Sequence, residues 1–174
     1  ANYCECNAGF YHPDEGSTSC DECAAGTYQP ESGKLQCSAC EAGKFSNALG
    51  AIAESTCVLC PVGKYSADGE DACNKCSADD VATTASEGAT SIQQCFCPAG
   101  YEDRAPGSDA VNCQACAADT YQHNTNQTAC ITCPGASGHD QSTQTSVTAC
   151  LCNQGYSSDN ETCTACAAGT YTEF

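Results

Sequence analysis

Twenty cysteines in a chain of 174 residues dominate any chemistry this sequence could perform. They fall into close pairs: Cys4-x-Cys6, Cys20-x-x-Cys23, Cys37-x-x-Cys40, Cys57-x-x-Cys60, Cys73-x-x-Cys76, Cys95-x-Cys97, Cys113-x-x-Cys116, Cys130-x-x-Cys133, Cys150-x-Cys152 and Cys163-x-x-Cys166. Thiols at this spacing suit dithiol redox catalysis, zinc ligation or structural disulfides. Redox Cys-x-x-Cys motifs occur singly, in a βαβ setting, where nearby positive charge lowers a thiol pKa. Here ten pairs sit in a chain with 5 basic and 22 acidic residues. Zinc needs four convergent thiolates, which suits a reducing compartment better than an oxidising one. An even number of cysteines repeated along the chain favours structural disulfides in an oxidising compartment.

The remaining candidates are thinner. His12, His123 and His139 are isolated in polar surroundings and read as solvated loop histidines. With the thiols oxidised there is no nucleophile for a Cys-His arrangement, and no Ser-His-Asp set stands out. No catalytic, cofactor-binding or metal-binding residue is assigned. Acidic clusters at Asp14-Glu15, Asp68-Gly69-Glu70-Asp71 and Asp79-Asp80 offer oxygen ligands without an EF-hand spacing, which suggests at most weak, low-specificity calcium binding. Asn126-Gln127-Thr128 and Asn160-Glu161-Thr162 match the N-glycosylation acceptor and make Asn126 and Asn160 candidate glycan sites.

What must position these residues is not an ordinary core. Val, Ile, Leu and Phe together supply 16 residues, with no Met and no Trp, roughly half of what a packed domain uses. At net charge −17 such a chain would be disordered without covalent closure. The disulfide requirement places it outside the cytosol, secreted or at the cell surface. The acidity excludes nucleic acid and anionic lipid as partners, and no apolar run is long enough to span a bilayer.

Internal repetition sets the organisation. Three rounds each open on a Cys-x-Cys pair followed by a Gly-aromatic step: Gly9-Phe10, Gly100-Tyr101 and Gly155-Tyr156. They divide the chain into 1–94, 95–149 and a shorter 150–174. Glycine recurs three residues after the second cysteine, at Gly26, Gly43, Gly63, Gly100, Gly155 and Gly169, as a position needing positive φ. Asp119 stands there once, and Asp tolerates that backbone. The aromatics that follow, Tyr28, Phe45, Tyr65, Tyr101, Tyr121, Tyr156 and Tyr171, read as packing on a disulfide. Two intervals, Cys76 to Cys95 and Cys133 to Cys150, lose the Gly-x-aromatic step, gain Ser and Thr, and read as short extended pieces. No helical period runs far. The expected fold class is small and disulfide-rich: an elongated tandem array of short β-hairpin and turn modules with very little helix.

Spacing alone leaves connectivity open. The sequence resembles the ephrin-receptor-like cysteine-rich repeat family, whose copies read Cys-x-x-Cys-Pro-x-Gly-x-Tyr; Cys60-Pro61-Val62-Gly63-Lys64-Tyr65 fits best. It departs from that pattern at Cys76-Ser77-Ala78-Asp79 and Cys133-Pro134-Gly135-Ala136. The cysteine before x-x-Gly-aromatic also resembles the first loop of tumour necrosis factor receptor modules and the last loop of EGF modules. Those resemblances imply neighbour pairing: Cys6–Cys20, Cys23–Cys37, Cys40–Cys57, Cys60–Cys73, Cys97–Cys113, Cys116–Cys130 and Cys152–Cys163, extended by the same rule to Cys76–Cys95 and Cys133–Cys150. Cys4 and Cys166 then face modules outside this stretch. A rival scheme closes blocks of four, with Cys37–Cys57 and Cys40–Cys60.

The function expected is non-enzymatic: a structural or spacer segment of a large extracellular, cell-surface or filament glycoprotein, such as a flagellar hair or coat. It would act through other extracellular proteins or copies of itself, with glycans attached and no membrane insertion in this segment. The alternative is the ligand-binding ectodomain of a signalling receptor. A single Arg and the absence of Trp weigh against a concentrated protein-binding hot spot.

Overall fold

The computed structural model describes residues 4–108, 110–159 and 162–168. The chain divides into two compact units, Ala1–Cys95 and Phe96–Phe174.

Disulfides stand where a hydrophobic core would be. Unit 1 carries Cys6–Cys20, Cys23–Cys37, Cys40–Cys57, Cys60–Cys73 and Cys76–Cys95. Unit 2 carries Cys97–Cys113, Cys116–Cys130, Cys133–Cys150 and Cys152–Cys163. Numbered in chain order these close loops one to nine, and each closure of this length removes about 3 kcal/mol of unfolded-chain entropy on the simple polymer model. Loop-opening cysteines form the centre of this core: Cys6, Cys23, Cys40, Cys60 and Cys97 are 0% exposed. Small residues complete this core, among them Ala51, Ala82 and Ala89, whereas Leu49, Ile52, Val58, Leu59 and Leu151 stay exposed.

Why cysteines come in pairs two residues apart is answered by the strands. The two residues between the cysteines of a pair form a strand that folds back, antiparallel, on the Gly-x-aromatic segment of the loop just closed. Thus Thr27–Tyr28 pairs with Ser38–Ala39, Lys44–Phe45 with Val58–Leu59, and Lys64–Tyr65 with Asn74–Lys75. Phe10–Tyr11 pairs in the same way with Asp21–Glu22. In unit 2 the corresponding hairpins join Tyr101–Asp103 to Cys113–Ala115, Thr120–Tyr121 to Ile131–Thr132, Ser137–Gly138 to Leu151–Cys152, and Tyr156–Asp159 to Thr162–Ala165. In most of these hairpins the next loop-opening cysteine adds a lock: Cys40 N–H donates to the Gly26 carbonyl at 2.8 Å, and Cys116 N–H to that of Gly100 at 2.9 Å.

Helix is confined, among the described residues, to three single 3-10 turns, Glu54–Thr56, Ile92–Gln94 and Val147–Ala149. Each sits just before the closing cysteine of a long loop, those with cysteine separations of 17, 19 and 17. Surplus residues are wound into one tight turn rather than left as slack. The Ser/Thr-rich intervals do hold short strands, Thr83–Thr84 and Ser137–Gly138.

Successive loops are joined by a repeated backbone ladder. The glycine at the hairpin turn donates its N–H to the following loop: Gly9 to the Gln29 carbonyl at 2.8 Å, Gly26 to Ser46 at 2.6 Å, Gly43 to Ser66 at 2.9 Å, and Gly100 to Gln122 at 2.8 Å. In return the following loop donates to the carbonyl of the loop-opening cysteine: Gly33 to Cys6, Gly50 to Cys23, Gly69 to Cys40, Gly88 to Cys60, Asn126 to Cys97 and Thr143 to Cys116. Donors in this second set have left-handed backbone, as at Gly50 (φ 57°), Asn126 (φ 56°) and Thr143 (φ 63°).

The expectation of positive φ at the first column holds at Gly26 (83°), and at Asp119, which substitutes with φ 62°. Gly169 and Tyr171 lie outside the described residues. The reason for glycine goes beyond φ: a Cβ on Gly26 would strike the Gly69 carbonyl oxygen, and one on Gly100 would stand 2.6 Å from that of Thr143. These contacts reach two loops ahead, so a loop touches more than its immediate neighbour.

Candidate functional site

The position six residues after each loop-opening cysteine is polar in every loop of the Gly-x-aromatic type, and the fold buries it in loops two, three, four and seven. Gln29, Ser46, Ser66 and Gln122 are 6%, 3%, 0% and 2% exposed. Each brings its own hydrogen bonds, as burial of a polar group demands. Gln29 donates Nε2–H to the Gln36 carbonyl at 2.7 Å and accepts the Glu31 N–H at Oε1; Gln122 repeats this with Ala129 and Asn124. Ser66 donates to the Lys44 carbonyl at 2.9 Å. Asp103 accepts the N–H groups of Ala105 and Asn112 at the same position. Thr84 does the equivalent work in loop five, donating to the Ser86 carbonyl and accepting the Gly63 N–H. Aligning the sequence on its cysteines would have exposed this column; reading it pair by pair did not.

Two histidines occupy the column as well, His12 in loop one and His139 in loop eight. The expectation of solvated loop histidines fails for both, which are half-buried beside their disulfides. Loop closure draws position six inward whatever side chain it carries. His12 accepts the Cys6 N–H at 3.3 Å through Nε2, but its Nδ1 and both ring nitrogens of His139 are buried without a partner. His123 is exposed, with its ring 6.1 Å from that of Tyr121. The conserved-spacing aromatics Tyr28, Phe45, Tyr65, Tyr101, Tyr121 and Tyr156 are half-buried.

The acidic clusters are exposed and partly engaged. Asp68 accepts the Ala42 N–H at 2.6 Å, and Lys75 holds Asp80 at 2.6 Å. Asp79 accepts from the Ser77 hydroxyl and the Val81 N–H, the hydroxyl contributing most to holding its carboxyl below the usual range. Lys44 bridges Glu41 and Glu54 at 3.1 and 3.2 Å, and those bonds raise its ammonium above the ordinary value. Exposed pairs of this kind orient loops and add little stability. Asn126 is exposed, with Gln127 and Thr128 exposed beside it. Asn160 lies outside the described residues.

Open concavities mark the surface of the described residues. A shallow groove of about 700 Å³ is lined by Tyr28, Pro30, Glu31, Lys34 and Leu35. Smaller ones, of about 290 and 230 Å³, are lined by His12 with Cys4 and Glu5, and by His139 with Asp140 and Gln144. No described helix is long and apolar enough to cross a membrane.

The model of the tyrosine-protein kinase ephrin type A/B receptor-like family matches three tandem stretches, residues 9–57, 50–95 and 104–150. The chain belongs to that family. Its ephrin-receptor-like repeats are also similar to cysteine repeat modular protein B of Toxoplasma gondii, 35% identical over 121 residues, covering 67% of this chain and 2% of that protein. A second similarity is to the sushi, von Willebrand factor type A, EGF and pentraxin domain-containing protein 1 of Rattus norvegicus, 29% identical over 151 residues and 84% of this chain. The Mus musculus protein of the same description is 30% identical over the same length. The chain spans only 2 to 4% of the length of these relatives. Ephrin-receptor-like repeats here are therefore a disulfide-rich array of the extracellular modular type.

Proposed function

We propose that this array is a non-enzymatic structural segment of a large extracellular or cell-surface glycoprotein, which spaces and presents neighbouring modules and assembles through protein contacts. The observation that carries this reading is the backbone ladder. Gly9 to Gln29, Gly26 to Ser46 and Gly43 to Ser66 spend the loops' main-chain donors on one another, so polar groups serve rigidity between loops rather than a ligand site. The similarity to modular proteins many times longer supports a segment repeated within a larger chain. Electron microscopy of native material tests it: regular filaments, coats or matrix carrying this segment are expected, and a dispersed monomeric receptor would overturn it.

A receptor ectodomain is the second reading, favoured by the exposed apolar side chains of unit 1, Leu35, Leu49, Ile52, Val58, Leu59 and Val62. We place an N-glycan on Asn126, which is exposed in an Asn-x-Thr acceptor triplet whose other two residues are exposed as well. Mass spectrometry of the glycopeptide before and after amidase treatment checks it.

A further inference from the structure

We propose that reduction converts loop one into a zinc site made of Cys6, His12 and Cys20, with Cys133, His139 and Cys150 forming a second copy in unit 2. In each trio the imidazole nitrogen and the two sulfurs lie within 4.8 Å of one another. Ligand atoms on one tetrahedral zinc stand roughly 3.5–4 Å apart, so sulfurs released from their bond need to part by only about 2 Å to accept the ion. A set of two thiolates and one imidazole is a zinc donor set, and it leaves one coordination position for water.

The second observation is the behaviour of the histidines themselves. At the same position in other loops, Gln29, Asp103 and Gln122 hydrogen-bond their own loop through the side chain, and Ser66 bonds the loop before it. His139 makes no such bond with either nitrogen, and His12 leaves Nδ1 unpartnered, although these atoms are buried. Buried polar atoms without partners are rare and ask for an explanation. A metal held in place of the disulfide supplies one. The histidine of each trio also lines an open concavity, of about 290 Å³ at His12 and 230 Å³ at His139.

Loop one is the more accessible of the two. Cys6 is 0% exposed, whereas Cys20 is exposed, unlike the loop-closing Cys57, Cys95 and Cys113, which are buried. A dithiol reductant attacks Cys20 Sγ, the disulfide breaks, and Cys6 leaves as a thiolate beside His12. The reductant's second thiolate then displaces Cys20, so the reductant leaves as a cyclic disulfide having supplied two electrons. Zn²⁺ binds the two thiolates and the neutral imidazole, and the thiol protons pass to solvent. Oxidised, the loop binds no metal; reduced, the ion replaces the covalent bond and holds the loop closed.

The test uses the full 174-residue chain, reduced with limiting phosphine, which yields two thiols and a phosphine oxide per disulfide and competes weakly for metal. Co²⁺ is the probe. Thiolate-to-cobalt charge transfer is expected to appear with reduction, and differential alkylation is expected to place the protected thiols at Cys6 and Cys20. His12→Gln, a residue that loops two and seven accommodate at this position, is expected to weaken Co²⁺ binding at least tenfold in loop one while leaving Cys6–Cys20 reducible. His139→Gln reads loop eight separately, should the first variant fold poorly. Binding of equal strength in both variants, or cobalt taken up equally by Cys23 and Cys37 beside Gln29, would overturn the proposal, as would reduction without any thiolate-cobalt band.

Discussion

The carboxylate of Glu102 accepts the backbone N–H of Cys130, 3.0 Å away and 28 residues further along the chain, while its other oxygen takes a hydrogen bond from Arg104 at 2.8 Å. The guanidinium bond and then the backbone bond hold this carboxyl below its ordinary range. A carboxylate lowered in the folded state stabilises above its unfolded pKa, and that contribution is lost as pH falls through the folded value. Unit 2 is therefore expected to lose thermal stability on acidification below about pH 4. Glu102→Gln should lower stability at neutral pH and flatten that acid dependence, as read by melting temperature across a pH series. An unchanged pH profile would remove Glu102 from this role.

Gly26→Ala is expected to destabilise unit 1 by about 3 kcal/mol, because left-handed strain adds to a clash with the Gly69 carbonyl. Gly16 has the same φ of 83° and nothing within 4 Å of a built Cβ. Gly16→Ala should therefore cost only about 1 kcal/mol. Comparing the two by denaturant unfolding under oxidising conditions separates contact from conformation; equal costs would deny the two-loop contact.

Thr143 adopts φ 63° with a β-branched side chain, where Gly50, Gly69 and Gly88 serve in other loops. Such a backbone is strained in a β-branched residue. Thr143→Gly is expected to stabilise unit 2 by about 1 kcal/mol, since relief of strain exceeds the added chain entropy. A lower melting temperature in the variant would show that the threonine side chain contributes something the backbone argument omits.

Peptide mapping of the oxidised protein is expected to recover Cys40 joined to Cys57 and Cys60 to Cys73, as the structure has them. A Cys40–Cys60 peptide would instead support closure in blocks of four. Complete reduction without metal is expected to abolish protease resistance, because buried cysteines constitute most of the core.

The fold class was readable because twenty cysteines at regular spacing leave little else for the chain to do. The pairing was not: it came with the family resemblance, since the spacing of Cys37, Cys40, Cys57 and Cys60 suits two schemes equally. Positive φ at Gly26 and Asp119 followed from residue type. Missed were the partners that make it necessary, because the contact from Gly26 to Gly69 spans two loops and leaves no local trace. His12 was misjudged for a related reason. Its neighbours in sequence are polar, and only the register shared with Gln29 and Ser66 reveals that the position is drawn inside.

The ladder between loops has a direction. Cys6, Cys23, Cys40 and Cys60 each offer a carbonyl that only the next loop in sequence fills, through Gly33, Gly50, Gly69 and Gly88. As the chain emerges during synthesis, each newly closed loop completes the one before it and waits for the one behind. A cut on the C-terminal side of a loop empties its cysteine carbonyl, and a cut on the N-terminal side empties the carbonyl that the preceding glycine filled, as Gly9 fills that of Gln29. An inner loop of the array is thus fully seated only when both of its neighbours are closed, and a terminal loop always has one edge to fill.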